Sequence, residues 1–334
     1  MWFVLALITI VFWGGSDLFS KLGSAATDKY SHWKIVMAVG TVMGIHATAM
    51  LVFSKIPSVV NLFPTEIAEQ LFPVGFSLKD VFYYFPAAFC YIFSMILGYV
   101  GLRYLMLSVS SPICNSSGAI ACILCLIFLR EMPDTLTWVG IVLVTIGVIC
   151  LAFIEKKNDT EIADLSKKDE NKKYKIGFIA VFFPIFYCLI DGIGTTADAL
   201  LLLEFDENTG ERIGGFVSEA NANIAYEYMF LLMAIFAFIY VFIIKKEKIK
   251  LRNEKAKIFG ALCETAGQFS YIYAIGDQAN VAKATPMISA YCVFSVLLSR
   301  IFLKEKLSVR HYLVIFTVFA GIICMGIAEG IAEL

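Results

Sequence analysis

The chain has 334 residues, 59% hydrophobic and 16% charged, with a net charge of −1 and a mean hydropathy of +0.78. One soluble core could not bury this much apolar surface, and the charge leaves no basic surplus for nucleic acid, so the composition excludes an ordinary soluble domain and a nucleic-acid partner. The apolar residues form long runs without alternation, which predicts an all-α bundle in a lipid bilayer and not a β-barrel.

A helix needs about 20 residues to cross the hydrocarbon core. Ten apolar runs come close to that length, so the sequence predicts ten transmembrane helices. In chain order they cover residues 2–22, 33–53, 81–102, 106–129, 135–154, 175–195, 222–244, 257–276, 281–303 and 309–328. The first run has no basic leader and ends without a cleavage site, which predicts a retained span.

The loops between the spans differ strongly in charge. Seven Lys occupy the loop around 155–175, and six Lys and one Arg occupy 245–257, whereas residues 198–219 hold six carboxylates and one Arg. Cytoplasmic loops carry the excess of Lys and Arg, so these two basic loops are predicted to be cytoplasmic and both termini external. We expect an integral protein of a bacterial plasma membrane.

The two halves of the chain are related by an offset of 174 residues. The matched pairs are Asp17 with Asp191, Pro112 with Pro286, Phe128 with Phe302, Leu129 with Leu303, Glu131 with Glu305, Gly147 with Gly321, and Cys150 with Cys324. We therefore expect a five-helix repeat at 1–154, a charged cytoplasmic linker at 155–174, and a second repeat at 175–334. Because five is odd, the second copy is inverted, an arrangement that suits alternating access; the alternative is that the duplication serves packing alone.

The chain resembles the drug/metabolite transporter superfamily, in particular its ten-span EamA-type members. The resemblance rests on ten short spans in two halves, on FWGGSDLFSK at Phe12 to Lys21, and on the paired segments LREMP at Leu129 to Pro133 and LKEKL at Leu303 to Leu307. It implies a central cavity lined mainly by spans one, three, four, six, eight and nine.

The most distinctive polar face within a span is in span eight. Glu264, Gln268 and Tyr271 stand at i, i+4 and i+7, so a carboxylate, an amide and a phenol share one side of the helix. This face could bind a protonated or quaternary amine, or Glu264 could carry a coupling proton. The alternative is that Glu264 lies near the cytoplasmic interface and pairs with Lys257.

Three charged residues are gating candidates. Asp17 and Lys21 have the spacing of a helical ion pair near the end of span one, which is the simpler interpretation. Asp17 and its repeat mate Asp191 could instead close opposite ends of a cavity. Asp198, beyond Asp191, is expected at the outer surface.

Spans four and nine both concentrate polar residues around a proline. Pro112 is close to Asn115, and Pro286 is close to Ser289 and Tyr291. Interrupted helices at corresponding positions of two halves indicate a substrate site, which predicts that Asn115, Ser289 and Tyr291 take part. Packing through small residues is the alternative for neighbours such as Gly118.

Aromatic residues supply the remaining candidates for the walls of a cavity. Trp13, Tyr91 and Tyr187 are the three that we select, although aromatic residues are abundant and many will face lipid or the core.

A second group of residues concerns helix packing. Gly40 and Gly44 form a GxxxG motif in span two that indicates close helix contact and a possible homodimer face. His46 follows them and is expected to be a satisfied packing residue.

The sequence contains no motif of catalysis, no nucleotide fingerprint and no metal-ligand pattern, so it predicts no enzyme, no cofactor and no metal site. The leading hypothesis is a secondary transporter, passive or ion-coupled, for a small polar metabolite, with a mild preference for a cationic or zwitterionic solute. The alternative is a flippase for lipids or lipid-linked sugars with the same fold.

Overall fold

The computed structural model describes residues 2–24, 28–129, 132–166, 182–205, 212–247, 254–276, 278–304 and 307–332. Within this part the chain is almost entirely helical. The helices are α1 (Trp2–Gly23), α2 (Ser31–Phe53), α3 (Pro57–Val60), α4 (Thr65–Leu71), α5 (Leu78–Tyr104), α6 (Leu107–Asn115), α7 (Ser117–Phe128), α8 (Thr135–Ser166), α9 (Phe182–Leu201), α10 (Glu219–Phe238), α11 (Lys255–Ala274), α12 (Gln278–Ser289), α13 (Tyr291–Leu298) and α14 (Val309–Ala332). Short π-helical turns, Ile239–Ile244 and Ser299–Leu303, extend α10 and α13.

Eight helical segments of the described chain are long and apolar enough to cross a membrane. They are Trp2–Gly23, Ser31–Phe53, Leu78–Tyr104, Ser110–Phe128, Phe182–Leu201, Glu219–Ile244, Asn280–Leu303 and Val309–Ala328. A ninth apolar stretch, Thr135–Leu151, forms the first part of α8 and is shorter. The predicted eighth span corresponds to α11, which is less hydropathic because it carries Glu264 and several other polar residues.

Two boundaries differ from the sequence prediction. Helix α8 continues to Ser166, so the first part of the predicted linker is helical. Helix α9 extends to Leu201, whereas the sixth span was predicted to end at residue 195. The helix continues past 195 because the polar residues in its last turns, including Asp198, are buried and hydrogen-bonded inside the bundle. Residues 167–181, Arg130 and Glu131, and Glu305 lie outside the described residues.

Spans four and nine are interrupted at corresponding positions, as predicted. Helix α6 contains Pro112 and ends at Asn115, and α12 contains Pro286 and ends at Ser289. Proline has no N–H, so Pro286 cannot donate to the carbonyl of Ala282, four residues earlier. The thiol of Cys122 donates to that carbonyl instead, at 3.4 Å, which joins α7 to α12.

The helices pack in pairs that connect the two halves of the chain. Helix α1 packs against α11 and α5 packs against α9, while α2 lies against α10, α8 against α14, and α7 against α12. Each pair combines one helix from before the charged linker with one from after it. The two halves are therefore intertwined and share one core.

The GxxxG motif forms one of these contacts. A Cβ atom on Gly40 would lie 2.3 Å from the carbonyl oxygen of Phe230, and one on Gly44 would lie 2.6 Å from the side chain of Leu231. Both partners belong to α10 of the same chain. The close helix contact is confirmed, but the motif is occupied within the chain and so does not support a homodimer face.

One end of the bundle, where α2, α9 and α11 end, carries additional structure, and we call it the α4 side. Helices α3 and α4 connect α2 to α5, and the Tyr273 hydroxyl of α11 donates to the Gln70 carbonyl of α4 at 3.2 Å. Between α9 and α10 the chain forms an antiparallel pair of short strands, β1 (Glu204–Phe205) and β2 (Arg212–Gly214), which were not predicted from the sequence.

The outside of the bundle is apolar. On α5, for example, the rings of Phe85, Phe89 and Phe93 stack in a row with centroids 5.8 and 5.9 Å apart and face outward. A surface of this kind is stable in contact with lipid tails and unfavourable in water.

Candidate functional site

A cavity of about 90 Å³ lies inside the bundle, between α1, α5, α6, α7, α9, α10, α11, α12 and α13. Helices that correspond to spans one, three, four, six, eight and nine supply all but one of its lining residues. Tyr226 of α10, in span seven, is the exception. This volume is enough for several water molecules.

Twelve residues were predicted from the sequence to bind the solute or to act as gates, and eleven of them line the cavity. They are Trp13, Asp17, Tyr91, Asn115, Tyr187, Asp191, Glu264, Gln268, Tyr271, Ser289 and Tyr291. The twelfth, Lys21, is outside the lining. Its ammonium group donates to the carbonyl oxygens of Leu102 and Leu105 and so neutralises the end of α5.

Asp17 is held by two serines from different helices. Ser111 of α6 and Ser295 of α13 both donate to the same carboxylate oxygen, the latter at 2.8 Å. Asp17 therefore does not form the helical ion pair with Lys21 that was the simpler interpretation of the sequence. Its partners come instead from spans four and nine, next to their interruptions.

The other two carboxylates of the cavity also accept hydrogen bonds from serines. Ser16 of α1 donates to Glu264 at 2.7 Å. Ser117 of α7 donates to Asp191 at 2.8 Å, and Ser94 of α5 donates to it at 3.2 Å. Each carboxylate thus links its own helix to at least one other helix of the cavity wall.

The interfacial alternative for Glu264 does not fit this geometry. Lys257, its suggested partner, forms an ion pair at 2.5 Å with Glu254, which immediately precedes α11. Glu264 lines the cavity two turns further along the helix.

The cavity has a strongly one-sided charge. Asp17, Asp191 and Glu264 line it, and no Lys, Arg or His does so among the described residues. Hydroxyl groups orient these carboxylates but cannot neutralise them. In the low-dielectric interior of a membrane protein, such a set favours a bound cation or bound protons.

Aromatic rings form much of the remaining wall. The Trp13 ring lies 5.0 Å from that of Tyr271 and 5.6 Å from that of Tyr291, measured between centroids. Tyr187 also lines the cavity, and its ring contacts the position of Gly98, where a Cβ atom would lie 2.9 Å away. Aromatic faces attract cations, which adds to the preference set by the carboxylates.

The polar residues at the helix interruptions combine lining with packing. The Asn115 amide donates to the carbonyl of Ser111 at 2.9 Å, and the Ser289 hydroxyl donates to that of Thr285 at 2.9 Å. A Cβ atom on Gly118 would lie 1.7 Å from the Ser289 hydroxyl oxygen, so α7 and α12 approach closely there. The small-residue packing that was the alternative for Gly118 is present.

Asp198 was expected at the outer surface, and this expectation was wrong. Its side chain has 0% exposure. The hydroxyl of Tyr84 donates to one carboxylate oxygen at 2.6 Å, and that of Tyr91 donates to the other at 3.1 Å. The spacing of seven residues from Asp191 places Asp198 two turns along the same face of α9, which is the signal that could have identified it.

A second buried carboxylate was missed entirely. Glu227 of α10 has 0% exposure and is 2.8 Å from Nδ1 of His46 on α2. Asn223 donates to the same carboxylate at 3.2 Å. This pair joins α2 to α10 outside the cavity, so His46 is a packing residue with a charged partner.

No group of three or more His, Cys, Asp or Glu side chains that could hold a metal ion occurs in the described part of the chain. The nine cysteines are free thiols in the helices, and none of them is exposed.

Comparison with known proteins identifies the family. The model of the EamA-like transporter family matches residues 1–153 and 216–327. No curated protein matches the chain. A solved protein described only as "Crystal structure of protein" has a similar fold, with a TM-score of 0.56 and 13% identity over 100% of this chain and 99% of that chain. The chain belongs to the EamA-like transporter family of the drug/metabolite transporter superfamily and is an integral membrane transporter.

Proposed function

We propose that the protein is a secondary transporter that carries a small solute with a positively charged group across the bilayer by alternating access. The observation that carries this proposal is the charge of the cavity: three carboxylates line it and no basic side chain does so among the described residues. A cationic or zwitterionic solute would replace the water lost on binding with carboxylate and aromatic contacts.

The geometry supports an inverted repeat of five plus five spans. The contact of α1 with α11 has its counterpart in that of α5 with α9, as expected if spans one and three of each half exchange roles. The interruptions after Pro112 and Pro286 also correspond under the 174-residue offset. Two related halves around a polar site are the arrangement from which alternating access arises.

The ten-span topology, in turn, supports an orientation. With α8 and α11 included as spans, the basic loops at 155–175 and 245–257 fall on one side, which the charge rule assigns to the cytoplasm. Both termini and the α4 side then face outward. For a bacterial protein this membrane would be the plasma membrane.

A thermal-shift screen of the detergent-purified protein tests the proposed solute class. The panel contains choline, putrescine, L-lysine, glycine betaine, glucose, uridine, citrate and phosphatidylglycerol, each at two pH values. Ligands that bind the folded state raise the melting temperature by mass action. The proposal predicts stabilisation by at least one of the four nitrogen cations or zwitterions and none by citrate.

Stabilisation by glucose, uridine or citrate alone would contradict the solute class. Stabilisation by phosphatidylglycerol alone would favour the flippase alternative, which requires a site open to the bilayer. Choline binding that does not saturate with choline concentration and that weakens as NaCl is added would indicate nonspecific attraction to carboxylates.

A further inference from the structure

A hydrogen-bonded chain connects the cavity to a carboxylate outside it. Asp198 is not in the cavity lining, but its hydrogen-bond donor Tyr91 is. So is Thr195, one turn earlier on α9, whose hydroxyl lies 3.2 Å from that of Tyr91. The hydroxyl of Tyr91 lies 3.1 Å from an Asp198 oxygen and 2.6 Å from the hydroxyl of Tyr271. Tyr271 belongs to α11 and lines the cavity, so three side chains from three helices form a continuous path.

Asp198 occupies an unusual environment for an ionisable group. It is fully buried, one turn before α9 ends on the α4 side. Its hydrogen-bond donors are the hydroxyls of Tyr84 and Tyr91, and no Lys, Arg or His of the described chain donates to it. An isolated buried carboxylate inside a membrane is costly, and binding a proton removes that cost.

We infer that Asp198 is the site at which a coupling proton binds, and that Tyr91 and Tyr271 transmit its binding to the cavity. This inference rests on the proposed transport function and adds to it the coupling ion and the residue that carries it.

The number of hydroxyl protons that the tyrosines can donate explains how proton binding at Asp198 affects the cavity. A phenol has one O–H and can donate only once. When Asp198 is ionised, Tyr84 and Tyr91 both donate to it. Tyr91 then has no proton left for Tyr271, so Tyr271 donates to Tyr91. In this state the Tyr271 oxygen can only accept a hydrogen bond from the cavity.

Protonation of Asp198 reverses the direction of the hydrogen bonds that run from Asp198 through Tyr91 to Tyr271. A proton from water binds the Asp198 oxygen near Tyr91, and this carboxyl O–H donates to the Tyr91 oxygen. Tyr91 turns its own O–H to Tyr271, the nearer of its two other hydroxyl neighbours, at 2.6 Å against 3.2 Å for Thr195. The proton of Tyr271 is then free to donate into the cavity. No covalent bond other than the new carboxyl O–H forms, and the proton returns to water when Asp198 ionises again.

The path also crosses between the two proposed halves, since Tyr91 is on α5 and Tyr271 is on α11. Both phenols are almost completely buried, and their rings meet edge to face with centroids 6.2 Å apart. Reversal of the hydrogen bonds therefore changes a contact between the two proposed halves, at the wall of the cavity.

The other titratable groups near Asp198 belong to several helices. They are Tyr84 and Tyr91 of α5, Cys125 of α7, Tyr226 of α10, Tyr271 of α11 and, two turns away on α9 itself, Asp191. The phenols and the thiol are neutral at physiological pH. Asp191 is the one group in this set that could compete for the proton, so the experiment has to separate the two aspartates.

Infrared difference spectroscopy of the protein in liposomes, acid minus alkaline, tests proton binding without any solute. The variants are Asp198→Asn, Asp191→Asn, Tyr91→Phe and Tyr271→Phe. Glu227→Gln is the control, because Glu227 is a buried carboxylate that does not belong to the hydrogen-bonded path from Asp198 to Tyr271. Ring-deuterated tyrosine identifies the tyrosine bands.

We expect Asp198→Asn to remove one carboxylic acid band and the tyrosine bands together. Asp191→Asn and Glu227→Gln should keep the tyrosine bands. Tyr91→Phe should keep the Asp198 carboxyl band and lose the same tyrosine bands that Tyr271→Phe loses. Tyrosine bands that persist unchanged in Asp198→Asn, or that disappear in Asp191→Asn, overturn the inference.

Transport of radiolabelled choline and L-lysine into proteoliposomes tests the coupling. A pH gradient should drive accumulation in the wild type, up to about tenfold per pH unit for one proton per solute. Asp198→Asn should retain exchange of solute for solute and lose this accumulation, and Asp198→Glu should recover part of it. Accumulation at the wild-type level in Asp198→Asn, or loss of exchange as well, overturns the inference.

The two assays separate failure of the inference from failure of the proposed function. A wild type that transports neither solute contradicts the proposed function. The infrared result then still decides whether Asp198 binds a proton and whether that proton changes the hydrogen bonds of Tyr91 and Tyr271.

Discussion

Ser16 of α1 donates a hydrogen bond of 2.7 Å to Glu264 of α11, and this bond has a counterpart on the other side of the cavity. There Ser94 of α5 donates to Asp191 of α9 at 3.2 Å. In both cases the bond joins a helix from before the charged linker to one from after it, and in the proposed repeat these are the first span of one half and the third span of the other. The donor is on the first span in one bond and on the third span in the other, so the two bonds are related but not identical.

Glu264 provides the most direct test of the charge argument. Glu264→Gln preserves the shape of the side chain and its ability to accept a hydrogen bond from Ser16, so we expect the melting temperature to stay close to that of the wild type. Affinity for the stabilising cation should fall by about tenfold or more, because a hydrogen bond to a charged group contributes roughly 1.5–3 kcal/mol. Isothermal titration calorimetry measures the change.

Ser16→Ala is the matched control for this substitution. It removes the hydrogen bond to Glu264 and leaves the negative charge in place, so affinity should change much less than in Glu264→Gln. Equal losses of affinity in the two variants would contradict a role for the charge.

Gly40 should tolerate no side chain. In Gly40→Ala the new Cβ atom would lie 2.3 Å from the Phe230 carbonyl oxygen, and α2 and α10 would have to separate. We expect a loss of about 1–3 kcal/mol in the free energy of unfolding, measured by titration with dodecyl sulfate in mixed micelles. Gly330→Ala is the control, because no atom lies within 4 Å of its new Cβ. Comparable losses in the two variants would show that α2 and α10 are not in close contact.

The contact between partly exposed His46 and buried Glu227 should contribute to stability without contributing to binding. His46→Leu leaves Glu227 with Asn223 as its remaining partner and should cost about 1–3 kcal/mol, because a buried acceptor loses one of its hydrogen-bond donors. Replacing both residues by Leu should cost less than the sum of the single changes. The same unfolding titration measures all three variants. Additive losses would mean that the two side chains do not interact.

Cysteine labelling in intact cells tests the proposed orientation. The native cysteines give a low background because none is exposed. A membrane-impermeant maleimide should label Asn61→Cys, in the loop between α2 and α5, before lysis. It should label Lys168→Cys, in the basic loop, only after lysis. The opposite pattern would reverse the orientation and place both termini in the cytoplasm.

Helical periodicity was sufficient to predict much of the cavity lining. Glu264, Gln268 and Tyr271 all line the cavity because positions i, i+4 and i+7 share a helix face, and the polar surroundings of Pro112 and Pro286 correctly indicated two interrupted helices. Periodicity describes each helix separately, however. It gave no information about which serines would come from other helices to bind the three carboxylates.

The errors have the same origin. Asp198 was expected at the outer surface because it lies beyond residue 195, where the sixth span was predicted to end. Tyr84 and Tyr91 from α5 provide the donors that allow its burial. The contact between His46 and Glu227 depends on the packing of α2 against α10, which are far apart in the chain. The GxxxG motif correctly predicted a close contact, but sequence alone could not distinguish α10 of the same chain from a second copy.

The acidic cavity is proposed to carry a cation across the membrane. Uptake of radiolabelled choline and L-lysine into proteoliposomes with an inside-negative potential tests this proposal. We expect saturable accumulation of at least one of them by the wild type and its loss in Glu264→Gln. Uptake no greater than that of protein-free liposomes for both compounds, or full activity of Glu264→Gln, would contradict it.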